Sequence, residues 1–131
     1  METVNGTLRK KHVLIVDDDI LLAWSLKETL ERDGYEATIV PDGGLALKFV
    51  QEHHLDAVVC DLQMSRVDGD LLFATVERSN PALARRFIFI TGLDSQPPFQ
   101  KFIDSFDLPA LPKPVALAAL HTEVLRVAER R

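Results

Sequence analysis

The chain has 131 residues, 47% hydrophobic and 27% charged, with a net charge of −5. That length supports one domain whose core comes from packing alone, and a negative balance gives no electrostatic drive toward direct nucleic-acid binding. No apolar run reaches the length of a membrane span, and the opening "METVNGTLRKKH" lacks the apolar stretch of a secretory signal, so a cytoplasmic location without membrane attachment is the expectation.

In chain order, residues 1–10 read as an amino-terminal extension and 11–131 as the domain. The basic cluster Arg9–Lys11 and the pair Arg85 and Arg86 are too short to track a phosphate backbone and read as solvated edges. Short apolar runs follow at 12–16 (HVLIV), 37–40 (ATIV), 57–60 (AVVC), 87–90 (FIFI) and, more weakly, 108–111 (LPAL). Runs that are apolar at every position suit parallel strands covered on both faces. The single cysteine, Cys60, sits inside one of them and reads as a small buried hydrophobe.

Helical patterns alternate with these strands. Leu22, Leu26 and Leu30 recur every four residues, with Asp19 placed to cap the start and Gly34 the end. Further helices are expected over Gly44–His53, Asp70–Ser79 (stopped by Asn80 and Pro81) and Pro98–Ser105. A last one carries Leu117, Leu120, Val124 and Val127 on one stripe. The sum is a doubly wound α/β fold, a five-stranded parallel sheet between helical layers.

In such a sheet the functional crevice lies beyond the carboxyl ends of the strands. Asp17 and Asp18 end the first strand, Asp61 the third and Thr91 the fourth, and Lys113 follows the fifth, so all five polar groups fall on one rim. Adjacent carboxylates repel one another by roughly a few kcal/mol per pair unless a cation joins them. Clustered hard oxygens suit Mg²⁺, which neutralises charge in phosphoryl transfer. Asp61 is then the candidate nucleophile, with Lys113 and the Thr91 hydroxyl available to phosphoryl oxygens.

The motifs "VLIVDDD", "VVCDLQM…DG", "FIFITG" and "LPKP" resemble the receiver domain of bacterial two-component response regulators, a flavodoxin-like fold, over about residues 11–130. The resemblance implies that Asp61 is the phosphoacceptor. Asp17 and Asp18 are then the acidic pair, with Asp18 a direct metal ligand and the Gln63 backbone carbonyl another. Thr91 becomes the switch hydroxyl, Lys113 the phosphate-pairing lysine, and Pro114 the residue of a cis peptide bond. Asp19 is left as a cap.

The implied partners are a histidine kinase or histidine phosphotransfer protein and a downstream output partner, the domain acting as a monomer or a phosphorylation-dependent dimer. Trp24 lies opposite the leucine stripe of its helix, where the resemblance puts a kinase contact. The chain departs from the family at Ser65, at Gly92, and at Ala110, where many members carry an aromatic switch residue. None of the four histidines reads as a phosphocarrier: His53 and His54 close a helix, and His12 and His121 have no evident chemical company.

Two rivals share parts of this pattern. A haloacid-dehalogenase-like phosphatase would use Asp17 as nucleophile and Asp19 as acid/base, but needs acidic metal ligands after Lys113, where only Glu123 and Glu129 occur. A flavodoxin-like FMN module needs a hydroxyl- and glycine-rich loop after the first strand, where three aspartates would repel phosphate.

Overall fold

The computed structural model describes residues 3–4, 7–8, 10–64, 68–92, 104–105 and 107–129, the first two pairs as backbone only. A short antiparallel hairpin comes first, β1 (Thr3–Val4) pairing with β2 (Thr7–Leu8). These strands are too short and polar to stand among the expected apolar runs, although the Asn-Gly dipeptide between them is a strong hairpin signal.

The main sheet consists of β3 (His12–Val16), β4 (Glu36–Val40), β5 (Ala57–Asp61), β6 (Phe87–Thr91) and β7 (Ala110–Pro112). All pairings are parallel, in the order β4-β3-β5-β6-β7. The expected strand at 108–111 is shifted, because Leu108 packs against the core from outside the sheet and pairing starts at Ala110.

The helices are α1 (Ile20–Arg32), α2 (Gly43–Glu52), α3 (Gly69–Ser79), α4 (Pro81–Ala84) and α5 (Leu117–Ala128). The helix expected over 98–105 lies outside the described residues except at 104–105. Among the described residues there is also α4, a single turn at a point where Asn80 and Pro81 are expected only to stop the preceding helix. Asn80 caps it through Leu83 N, with Pro81 at its first position, where a missing N–H is harmless.

Alternation along the strands divides the core into two layers. Leu14, Val16, Val58, Cys60, Phe87 and Phe89 pack with Ala46 of α2 and with Leu72, Phe73 and Val76 of α3. Val13, Ile15, Val59, Ile88 and Ile90 pack with Ala23, Leu26 and Leu30 of α1 and with Leu120, Val124 and Val127 of α5. Truncating any of the fully buried leucines to alanine costs about 2–5 kcal/mol. The expected α5 stripe is confirmed at Leu120, Val124 and Val127 but not at Leu117, which is 42% exposed, while Ala128 at the far end of the helix is buried with the stripe.

Local caps set how each helix meets the rim. Asp19 accepts from Leu22 N at 3.2 Å and so starts α1 immediately beyond β3. At its far end Gly34, at φ 95°, donates to Glu31 O while Tyr35 N donates to Leu30 O, the Schellman pattern that a residue with a Cβ would strain.

Candidate functional site

Register explains why the polar residues converge. Val16 pairs with Cys60 and Asp61 with Ile90, so the ends of β3, β5 and β6 lie level, and Thr91 stands beside Pro112 on the same rim. Asp17 and Asp61 are buried there, and Asp18 is exposed. One carboxylate oxygen from each of these three lies within 4.8 Å of the other two.

Lys113 supplies the counter-charge. Its ammonium is 3.0 Å from Asp61 Oδ2 and 3.8 Å from Asp17 Oδ2. The other oxygen of Asp61 accepts from Gln63 N at 3.1 Å, and Asp17 Oδ1 accepts from Asp19 N at 2.9 Å. Lys113 N also donates to Thr91 O at 2.8 Å, which ties the backbones of the switch-hydroxyl and phosphate-pairing candidates together, and the Lys113–Pro114 bond is cis.

One lysine does not satisfy three acids. Asp17 Oδ2 is buried and accepts no hydrogen bond. Burial pushes the Asp17 pKa up from 3.8 to about 6, with the Asp61 charge adding to the rise and the Asp19 amide and Lys113 opposing it. For Lys113, partial burial works to lower the pKa, but the hydrogen bond and charge of Asp61, with the charges of Asp17 and Asp19, outweigh it and hold the ammonium above its ordinary value. An all-oxygen cluster with one buried lone-pair site unused fits a hard divalent cation.

The remaining expectations meet mixed outcomes. Trp24 is 51% exposed, with the Lys27 ammonium 5.9 Å from its ring centroid. The Thr91 hydroxyl donates to Gly92 O at 3.3 Å. Ala110 packs against the core as a partly buried residue in register with Phe89, and Ser65 lies outside the described residues.

Two expectations about histidine are corrected. His12 Nε2 is 2.8 Å from Thr38 Oγ1, and His121 Nδ1 is 2.8 Å from Asp33 Oδ2, so both have partners. Sequence gave no hint, because each pair joins different elements.

Asp68 and Gly69, the Asp-Gly pair of the third-strand motif, have no role assigned by the motif itself. A Cβ on Gly69 would collide with the Asp61 carbonyl and lie 2.9 Å from Leu62 Cα, so only glycine lets α3 begin against the end of β5. The Asp-Gly pair so soon after a strand-ending aspartate was the available signal. The phosphatase rival finds no metal ligands in or just after α5: Glu123 pairs with Arg126, and Glu129, which follows the helix, lies 3.7 Å from Lys11, which precedes β3 at the opposite end of the sheet.

This arrangement, a parallel five-stranded sheet with an acidic pocket and a lysine at its carboxyl rim, defines a class of signalling domain. A family model described as "Response regulator receiver domain" matches residues 13–125, and the chain belongs to that family. It is 32% identical over 108 residues to response regulator MprA from Mycobacterium sp. (strain KMS), covering 82% of this chain and 46% of that protein. Transcriptional regulatory protein GlrR from Escherichia coli (strain K12) is 30% identical over 113 residues, 86% of this chain and 25% of that one. The chain therefore spans less than half the length of these curated relatives.

Among solved structures, the Francisella response regulator 1452 receiver domain superposes with TM-score 0.79 at 27% identity, covering 92% of this chain and 98% of that one. A CheY-like receiver protein from Methanospirillum hungatei JF-1 has TM-score 0.82 at 24% identity, covering 92% and 95%, a likeness of fold. Two-component signalling is the function of the class. Among the described residues, no helix is long and apolar enough to cross a membrane.

Proposed function

We propose that this receiver takes a phosphoryl group on Asp61 from a histidine kinase or histidine phosphotransfer protein, with Mg²⁺ held by Asp17, Asp18, Asp61 and the Gln63 backbone carbonyl. The observation that carries the reading is the meeting of three carboxylates from two strands with the Lys113 ammonium 3.0 Å from Asp61 Oδ2.

In the forward step a carboxylate oxygen of Asp61 forms a bond to phosphorus as the phosphorus–nitrogen bond of the donor imidazole breaks, giving an acyl phosphate. The metal, when bound, neutralises phosphoryl charge and leaves less for the protein to stabilise. Lys113 pairs with a phosphoryl oxygen and the Thr91 hydroxyl donates to another. The domain then hydrolyses the acyl phosphate by attack of water on phosphorus, returning the carboxylate.

The switch runs through Thr91 and the loop after β6 to the surface near β7, without the aromatic that Ala110 replaces. Trp24, half-exposed on α1, contacts the phosphodonor partner. Residues 11–131 form the functional unit behind a ten-residue extension, acting in the cytoplasm as a monomer or a phosphorylation-dependent dimer and passing its signal to an output partner, without binding nucleic acid itself.

Acetyl phosphate and Mg²⁺ test the acceptor. Intact-mass spectrometry is expected to record one phosphoryl increment on the wild type and none on Asp61→Asn; an undiminished increment on that variant would refute the assignment. Equal partner affinity with and without beryllofluoride would count against the switch, and unchanged transfer kinetics in Trp24→Ala would remove Trp24 from the partner contact.

A further inference from the structure

Four helices of the described residues begin at a side chain suited to capping, and three of those side chains do cap. Asp19 accepts from Leu22 N, Asp42 from Leu45 N and Asn80 from Leu83 N, each bonding the amide three residues on. Asp68 occupies the same position before α3, with extended backbone angles (φ −65°, ψ 155°), yet its side chain makes no capping bond. Its Oδ1 instead accepts from Met64 N at 3.1 Å, across the loop that follows Asp61. A cap contributes about 1 kcal/mol to a helix, so this carboxylate forgoes a local stabilisation and holds the Met64 amide instead.

The bond lands on an informative peptide unit. Met64 N–H and the Gln63 carbonyl belong to the same planar trans peptide and point in opposite directions. Fixing the amide toward Asp68 therefore fixes the carbonyl away from it. The neighbouring groups are held as well, since Gln63 N donates to Asp61 Oδ1 at 3.1 Å and Gly69 N to Leu62 O at 3.1 Å.

We propose that Asp68 is a positioning residue for the metal site: by accepting from Met64 N, it orients the Gln63–Met64 peptide so that the Gln63 carbonyl is aimed as a ligand before the cation arrives. The inference rests on the Mg²⁺ site proposed above. A carboxylate on the N–H side also polarises the peptide, making its carbonyl oxygen a better donor to a hard cation. Partners that orient a ligand in this way typically change metal affinity by about 10–100-fold when removed.

The test titrates Mg²⁺ into wild type, Asp68→Ala, Asp68→Asn and Asp68→Ser by calorimetry, and measures Met64 amide exchange in the metal-free proteins. Asn keeps an acceptor oxygen without the charge, whereas Ser caps α3 but is too short to reach Met64, which provides a folded variant should Ala melt. The expected result is a dissociation constant raised about tenfold in Ala and Ser with faster Met64 exchange, and Asn within about threefold of wild type. Wild-type affinity in the Ser variant, or equal losses in Asn and Ser, would overturn the positioning role. No Mg²⁺ binding by the wild type would instead overturn the metal site itself, and this role with it.

Discussion

The two rims of the sheet treat buried aspartate in opposite ways. At the strand starts, Asp56 is 4% exposed and both its oxygens have partners: Oδ2 accepts from His12 N at 2.8 Å, and Oδ1 lies 3.4 Å from His54 Nε2. Nearby, the Ala128 carbonyl at the end of α5 accepts from both Lys11 and Arg86. At the strand ends, Asp17 is fully buried with one oxygen that accepts no hydrogen bond, facing Asp61 and a shared lysine. The first rim is satisfied by its own chain and holds the fold together. The second is left short of positive charge, which suits the cation proposed for it.

The sharpest break in this comparison is Asp17→Asn. The metal-free fold holds the Asp17 pKa at about 6 against an ordinary 3.8, so it binds this proton more tightly than the unfolded chain does. The stability that goes with it is full below pH 4 and lost as pH rises through 6. The loss corresponds to about 3 kcal/mol, and Asp17→Asn is expected to recover it at pH 8 and nothing at pH 4 in thermal melts without metal. Mg²⁺ should narrow or reverse the ranking, because the wild type binds it more tightly than a variant that has lost one proposed ligand and so gains more from binding.

Asp56→Ala should do the opposite. It strips the half-buried His12 amide of its Asp56 acceptor and is expected to cost about 2 kcal/mol in denaturant midpoints, with Mg²⁺ affinity unchanged. A loss of metal binding there would show the two rims to be coupled. The smallest of these effects belongs to Lys113→Met, which removes a charge-assisted bond worth about 1–2 kcal/mol to the metal-free protein. Because the ammonium occupies the same carboxylates as the cation, Mg²⁺ should bind the variant severalfold more tightly in calorimetry.

Much of the fold was legible because its signals are local. Apolar runs located the strands to within a few residues, and Asp19 and Gly34 marked both ends of α1. The errors came where a local pattern admits two outcomes. Leu117 completes a stripe by spacing yet is exposed, because it opens the helix at the rim, where nothing described covers it. Asn80–Pro81 ended one helix but also began another, since proline is as good at a first position as it is bad in an interior. Pro112 lies within β7, on the edge strand, where a missing donor does no harm.

The sequence by itself determined the parallel α/β class and the set of residues on the functional rim, because strand and helix periods and caps depend on near neighbours. It could not determine distances among Asp17, Asp61 and Lys113, which are set by the order that places β5 between β3 and β6 and by a register shared across segments dozens of residues apart. Only the tertiary structure decided that one carboxylate oxygen of Asp17 would be buried without a hydrogen bond, that His12 and His121 would find partners, and that Asp68 would turn from its helix to the loop. Each of these follows from packing between elements, which no local pattern encodes.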